Sequence, residues 1–532
     1  MDTARLIQQL SLPTAYPHRV DVVETHQTHI SAVFLAGPYA YKVKKPLDLG
    51  FLDFTQLDRR RHFCEEEVRL NRRLAPDVYL GVVPIIDHGG GLQVGGHGEP
   101  VEWAVQMRRL PATRTLRARL AAGEDLGSVL APLGRHVAQF HHRADAGPEI
   151  AASGRWEVVS GNALENYAQA APLAGRTVSP AVLARIEART RSVLDELRPL
   201  IEERAARGVP RDTHGDLHLD HVYWFPERPN GERFDIIDCI EFNERFRYAD
   251  PVADLAFLVM DLEFHGRPAW ARALADAWFE ARDDEQGRFL LPFYTAYRAA
   301  VRGKVDGFEV AEREVPGSER GRALASARAH WLLALGLLEP PGERPALVCV
   351  GGLPGTGKST LARGLAEQAG FTVIATDRVR KELASLTQED GAPARFGEGL
   401  YTAGWNERTY SECLHRARQG LLEGHRVLVD ASFREEHRRR EFLDEARRLA
   451  VPGRLLLCGC GEQEVRRRLG RRRGGPSDAD WTVYQAARAT WQPLVPATAA
   501  HTREIRTDGE AGEALGRAMT ELCGAGLAEG RP

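Results

Sequence analysis

The chain has 532 residues, 43% of them hydrophobic and 27% charged, with a formal net charge of −3. That length exceeds one ordinary core and predicts two to four domains. The near-neutral balance argues against wholesale nucleic-acid binding but leaves room for a local basic site. No apolar stretch approaches the roughly 18 residues that span a bilayer. The start, MDTARLIQQLSLP, lacks the basic region and apolar run of a secretory signal, so the cytoplasm is the expected location. Seven cysteines without metal-ligand spacing, the closest pair being Cys458 and Cys460, read as buried thiols.

In chain order, ISAVFLAGPYAYKVKKP alternates like two strands joined by a turn. Its period of two sends Lys42 and Lys44 to one face. DRRRHFCEEEVRLNRRLAP has helical spacing and offers Glu65, Glu66 and Glu67, and EWAVQMRRLP carries Gln106 and Met107 on a further extended run. From about residue 116 to residue 205 the pattern is mostly helical, and of His141 and His142 there one reads as a packed or hydrogen-bonded helical histidine. FDIIDCIEF returns to strand, with Asp238 near its end. Strands and one helix followed by a helical lobe with an inserted hairpin predict a bilobal α+β domain. His330 to Leu338, HWLLALGLL, is expected as a buried terminal helix of that domain.

A seam follows at Pro340, Pro341 and Gly342, where a helical pattern stops and an apolar strand begins at once. It divides the chain into expected domains 1–340 and 341–532. Beyond it ALVCV, FTVIAT, RVLVDA, GRLLLCG and TREIRT are short apolar runs separated by helical stretches. That order predicts an α/β domain with a parallel sheet covered by helices on both faces.

Gly352 to Ser359, GLPGTGKS, satisfies the phosphate-loop pattern at every specified position, directly after a strand and before a helical run. The chemistry needs this arrangement. Glycines (Gly352, Gly355, Gly357) let backbone N–H groups turn inward around phosphate oxygens, and the helix that follows presents its positive end. Thr356 and Thr360 belong to the same cradle. Lys358 is expected at the β- and γ-phosphates of ATP, and the Ser359 hydroxyl on Mg2+. Asp377 sits at the carboxyl end of a second strand, suited to accept a proton from an acceptor hydroxyl or to help hold the metal, with Arg380 along the next helix to pair with an anionic group on that acceptor. Asp430 ends another strand, where it suits Mg2+ or a bound water. Six arginines between Arg466 and Arg473 form a candidate lid, with Arg468 and Arg472 one turn apart and able to act together on transition-state charge. Over roughly residues 345 to 525 these features resemble the P-loop kinases that include gluconate kinase, polynucleotide kinase and zeta-toxin-like kinases.

In the first part HGDLH (His214 to His218), IDCIEF and RYADPVADLAF resemble the aminoglycoside phosphotransferase and choline kinase family, over about residues 20 to 310. The resemblance implies a protein-kinase-like domain in which Asp216 accepts the acceptor's proton and Asp238 binds Mg2+. It also implies that Lys44 holds the α- and β-phosphates with Glu67 as its ion-pair partner, and that Met107 lies at the adenine hinge. Lys42 shares the face of Lys44 and remains open for the same role. Two features depart from the pattern. No glycine-rich G-x-G-x-x-G precedes YKVKK, and His221 stands where the loop should place a metal-binding asparagine, although imidazole suits Mg2+ poorly.

The order of the two parts resembles bacterial two-domain proteins that join such a kinase-like domain to a P-loop kinase. The expected function is ATP- and Mg2+-dependent phosphotransfer to a hydroxyl of a small molecule, such as a sugar or aminoglycoside-like compound, or to a nucleic-acid 5′-hydroxyl. The alternative is a nucleotide-dependent regulatory ATPase or binding protein with a degenerate first domain. No membrane partner is expected, and the oligomeric state stays open.

Overall fold

The structure, a computed structural model, describes residues 2–50, 52–229, 231–311, 316–386, 399–471 and 480–529. By packing, the chain forms two compact units: Met1–Val159 with Leu197–Leu262 and Arg267–Tyr294, and Ser160–Glu196 with Glu263–Gly266 and Thr295–Pro532. The buried helix expected at His330–Leu338 is present within Gly317–Leu338 and packs in the second of these units.

The first unit opens on a six-stranded antiparallel sheet, in spatial order Val23–Gln27, Ser31–Ala36, Tyr39–Lys44, Pro100–Arg108, Tyr79–Asp87 and Leu92–Val94. Alternation decides what each face does. Ala32, Phe34, Tyr41 and Val43 face one apolar cluster, while Ala40 faces another that includes Cys64 and Val68 of the helix Leu57–Asn71. Lys42 and Lys44 share the parity of Ala40 and so point toward that helix. The helix turns Arg60, Cys64, Glu67, Val68 and Asn71 inward, spaced by three and four residues as one face of an α-helix requires. Glu67 is therefore the acidic residue that meets the lysines, whereas Glu65 and Glu66 pair with Arg61 and Arg69 near the surface.

Below the sheet, helices Gly127–Arg143 and Pro268–Arg282 pack so closely that a Cβ on Gly134 would stand 2.5 Å from the Leu274 carbonyl. Helix Pro251–Phe264 is buried along most of its length and carries Asp254 beneath the loop His214–His221.

In the second unit a five-stranded sheet runs wholly parallel, in spatial order Thr372–Ala375, Arg426–Asp430, Ala346–Gly351, Gly453–Gly459 and Thr502–Arg506. The central strand Ala346–Gly351 is buried at every residue, as its unbroken apolar sequence predicts. Val348, Val350, Leu428 and Leu456 join Leu361 and Leu365 of helix Lys358–Ala369 and Ala518 and Leu522 of helix Ala511–Gly524 in one core. Each of these valine and leucine side chains contributes about 1.5–3 kcal/mol by leaving water. Tyr410, Phe433 and Phe442 form an edge-to-face cluster associated with helices Ala403–Leu422 and Glu436–Arg448. The chain visits one side of the central strand and then the other, which makes the carboxyl end of Ala346–Gly351 the switch point where ligands bind in such sheets.

Candidate active site

In the second unit the central strand runs at the switch point into Gly352, whose φ is +140°. A Cβ there would lie 2.7 Å from the Cys458 carbonyl oxygen, and one on Gly355 (φ +79°) would lie 3.0 Å from Val465. Only glycine lets the loop pass this close to the neighbouring strand and helix. Gly357 (φ +86°) directly precedes helix Lys358–Ala369, whose first N–H groups consequently face the loop. The Thr356 hydroxyl donates to the Leu353 carbonyl at 2.8 Å, and Lys358 Nζ donates to the same oxygen at 3.0 Å, folding the lysine over the loop. Thr507, one residue past the strand Thr502–Arg506, ties the loop down by donating to the Thr356 carbonyl at 2.7 Å.

Asp430 closes the adjacent strand. Burial pushes its carboxyl group up, against the pull of the Lys358 ammonium and a hydrogen bond with Ser359. Across the same cavity, of about 1420 Å³ and lined also by Thr360 and Arg468, stand Asp377 and Arg380. They lie one turn apart on helix Thr376–Leu383. Arg380 donates to Asp377 at 2.9 Å and to Asn406 at 3.0 Å, and its guanidinium lies 4.7 Å from the Tyr401 ring centre. Arg468 is held by Glu464 at 2.8 Å and by the Thr507 carbonyl at 2.6 Å, with Nη1 3.2 Å from where a Cβ on Gly357 would stand. The candidate lid residue Arg472 lies outside the described residues. Asn406, Thr507 and Glu464 belong to this site without any motif to announce them. Thr507 alone had a readable signal, its place just beyond a strand's carboxyl end. Glycines in a left-handed cradle, a lysine over the loop and a hydroxyl beside a buried carboxylate are a donor set that fits a nucleotide triphosphate with Mg2+.

In the first unit Lys42 donates to Asp238 at 2.6 Å and lies 2.9 Å from Glu67. Lys44 lies 2.8 Å from the other Glu67 oxygen and also pairs with Glu241, and its side chain is 2% exposed. The nucleotide role expected of Lys44 thus meets a lysine enclosed between two carboxylates, and the lysine set against Asp238 is Lys42. The physical reason is depth: both residues have the same parity, but Lys44 ends its strand under the Phe54 ring, 5.2 Å away. Burial opposes both ammonium charges, yet the facing carboxylates hold both lysines above their ordinary range. Met107 is buried in the cluster with Ala40 and Tyr79, so its side chain is core.

The loop His214–His221 is held from behind. Asp254 accepts the backbone N–H groups of His214 at 3.0 Å and Gly215 at 2.9 Å, and His141 at 3.0 Å; Trp278 donates to His141 in turn. Burial opposes the Asp254 charge, but the hydrogen bond with His141 and the surrounding donors bring its carboxyl down to about 2. Burial pushes His214 down to about 4. His221 Nδ1 lies 2.9 Å from the Asp216 carbonyl, and its Nε2 lies 3.5 Å from Asp238. One donor atom from each of Asp216, His218 and His221 lies within 4.8 Å of the others. Two imidazoles and one carboxylate do not suit Mg2+, which prefers oxygen. Asp238, the oxygen ligand expected there, is engaged by Lys42.

A phosphate loop at the switch point of a parallel sheet, in a chain whose other unit sets a kinase-type loop beneath an antiparallel lobe, defines a two-part phosphotransferase of the kinase type. The family model of the phosphotransferase enzyme family matches residues 53–290, and that of an AAA domain matches residues 347–494. Uncharacterized proteins of Mycobacterium tuberculosis and Mycobacterium bovis are 34% identical over 471 residues, covering 88% of this chain and 90% of theirs. The chain belongs to the family of these mycobacterial proteins, and it carries a phosphotransferase-family domain followed by a P-loop kinase domain of the AAA type. Among solved structures, a choline/ethanolamine kinase family protein from Mesorhizobium loti is similar at 15% identity, with TM-score 0.35, over 63% of this chain and 97% of its own. A gluconokinase from Sinorhizobium meliloti is similar at 18% identity, with TM-score 0.26, over 34% of this chain and 94% of its own. Among the described residues no helix is long and apolar enough to cross a membrane.

Proposed function

We propose that the chain is an ATP- and Mg2+-dependent kinase that moves the γ-phosphoryl group of ATP to a hydroxyl, with the phosphate loop of the second unit as the transferring site. One observation carries the reading: Lys358, Ser359 and Asp430 meet at the ends of neighbouring strands and open on the same cavity as Asp377 and Arg380. When bound, ATP with Mg2+ supplies the transferable group and neutralises its charge. The chain's own residues do the remainder. Loop N–H groups from Gly352 to Thr360 cradle phosphate oxygens, and Lys358 exchanges the Leu353 carbonyl for them. Ser359 and Asp430 are the metal-holding pair. Asp377 takes the proton of the acceptor hydroxyl, Arg380 meets an anionic group on the acceptor, and Arg468, with Arg472, covers developing charge. The acceptor is a small molecule in this reading, and a nucleic-acid 5′-hydroxyl is the competing class. The kinase-like domain and the P-loop kinase domain are taken to join at residues 340/341.

A second reading concerns the first unit. The Lys42–Asp238 ion pair favours a lobe that binds or senses a ligand over one that transfers phosphate through Asp216. Transfer of labelled γ-phosphate from ATP to water and to sugars, aminoglycosides, nucleosides and 5′-hydroxyl oligonucleotides tests both readings, in wild type beside Lys358→Ala and Asp216→Asn. Loss of all transfer in Lys358→Ala alone is expected. Transfer to an acceptor that survives Lys358→Ala and disappears in Asp216→Asn would move the chemistry to the first unit.

A further inference from the structure

The donor set of the loop His214–His221 departs from what Mg2+ requires, and its spacings indicate what it would take instead. His218 Nε2 lies 3.5 Å from Asp216 Oδ2, His221 Nε2 lies 3.5 Å from Asp238 Oδ2, and one ligand atom from each of Asp216, His218 and His221 lies within 4.8 Å of the others. Well-made N–H···O hydrogen bonds run about 2.7–3.2 Å. Two ligands on one tetrahedral ion, with bonds of about 2.0–2.2 Å, stand roughly 3.4 Å apart. The loop therefore holds nitrogen and oxygen donors at ligand separations.

The tautomers agree with this. His221 Nδ1 donates to the Asp216 carbonyl at 2.9 Å, which leaves Nε2 with the lone pair. Metal-binding histidines are commonly fixed in this way through their second nitrogen. The Asp220 carboxylate stands 3.7 Å from His218 Nδ1, on the far side of that ring from Asp216. The His218 and His221 rings are tilted by 36° with centroids 3.8 Å apart, which keeps their nitrogens near one another. Imidazole with carboxylate selects zinc-class ions, whereas Mg2+ and Ca2+ select oxygen.

We propose that Asp216, His218 and His221 form a binding site for a divalent transition-metal ion of the Zn2+ class, held in preference to Mg2+. An ion there occupies the Asp216 carboxylate, so the loaded loop has no free base for an acceptor hydroxyl. The inference concerns the first unit and does not rest on the phosphate-loop reading.

The test uses the full chain stripped with a chelator, with excess Mg2+ present throughout. Zn2+ stoichiometry is read by equilibrium dialysis and ligation by the visible absorption of Co2+. Wild type is expected to bind one tight equivalent with a nitrogen and oxygen ligand spectrum. His221→Asn and His218→Ala are expected to weaken that equivalent at least about tenfold while keeping their circular dichroism, and Cys460→Ser is expected to keep it. Equal binding in wild type and in both histidine variants would overturn the proposal. So would displacement by Mg2+, or a sulfur-to-cobalt charge-transfer band lost in Cys460→Ser. The wild-type spectrum and the Mg2+ competition remain decisive if a histidine variant fails to fold.

Discussion

Gly352 is the position where the phosphate loop has least room, and the effect of Gly352→Ala can be worked from its surroundings. Its φ of +140° lies in a region that side-chain-bearing residues rarely adopt, a strain of about 1–3 kcal/mol. The new Cβ would meet the Cys458 carbonyl oxygen at 2.7 Å and the Thr356 hydroxyl at 2.9 Å. The first of these is backbone of a strand paired on both sides and cannot swing away, so overpacking adds about 1–3 kcal/mol. The expected loss is about 2–6 kcal/mol in the second unit, lowering its melting transition by roughly 4–24 °C. Gly370→Ala is the internal control. Its φ of +66° also disfavours alanine, but nothing stands within 4 Å, and only about 1–2 kcal/mol is expected. Calorimetry of the full chain together with titration of a fluorescent ATP analogue separates the two. Gly352→Ala should weaken nucleotide binding at least about tenfold, equivalent to about 1.4 kcal/mol, and Gly370→Ala should leave it unchanged. Equal melting losses and unchanged binding in both variants would refute the close-approach argument.

Further expectations concern the first unit. His214 is held near pH 4 by burial against an ordinary value of 6.5, so the unfolded chain takes up its proton first as pH falls. Stability is fully present above pH 6.5 and declines toward pH 4, by a quantity on the order of 3 kcal/mol; Asp254, held near 2, adds a separate loss below its ordinary 3.8. Urea midpoints between pH 7.5 and 4.5 measure the first window, and a flat profile there would contradict it. Lys44→Met leaves Glu67 and Glu241 buried without their shared cation and should destabilise the unit by about 3–5 kcal/mol, with part of the loss recovered in Lys44→Met/Glu241→Leu; urea unfolding of both variants checks this. Arg204 donates twice to Asp250 (2.6 and 3.0 Å) and twice to Asp284 (2.6 and 2.7 Å). Arg204→Ala should cost a similar amount, visible as faster hydrogen exchange in peptides around Asp250 and Asp284.

What the amino-acid order determined by itself was whatever depends on neighbours in sequence. The phosphate loop is contiguous, its glycines and Lys358 spaced by local backbone geometry, and the strands around it are short apolar runs whose burial needs no partner to be recognised. Asp377 and Asp430 were legible for the same reason, each closing such a run. The parity of Lys42 and Lys44 and the inward helical face carrying Glu67 also follow from local periods of two and 3.6. Tertiary structure alone decided which lysine is enclosed by Glu67 and Glu241 and which meets Asp238, because depth beneath a helix is not a property of a strand's period. It also brought Asp254 under His214 and Gly215 from 40 and 39 residues away, Thr507 onto the Thr356 carbonyl across 151 residues, and Asn406 onto Arg380. Asn406 and Thr507 lie in stretches that carry no motif, and RYADPVADLAF, which contains Asp254, does not say which backbone groups that carboxylate accepts. A hydrogen bond between distant segments leaves no period or spacing in the chain, and it exists only once the core has brought those segments together.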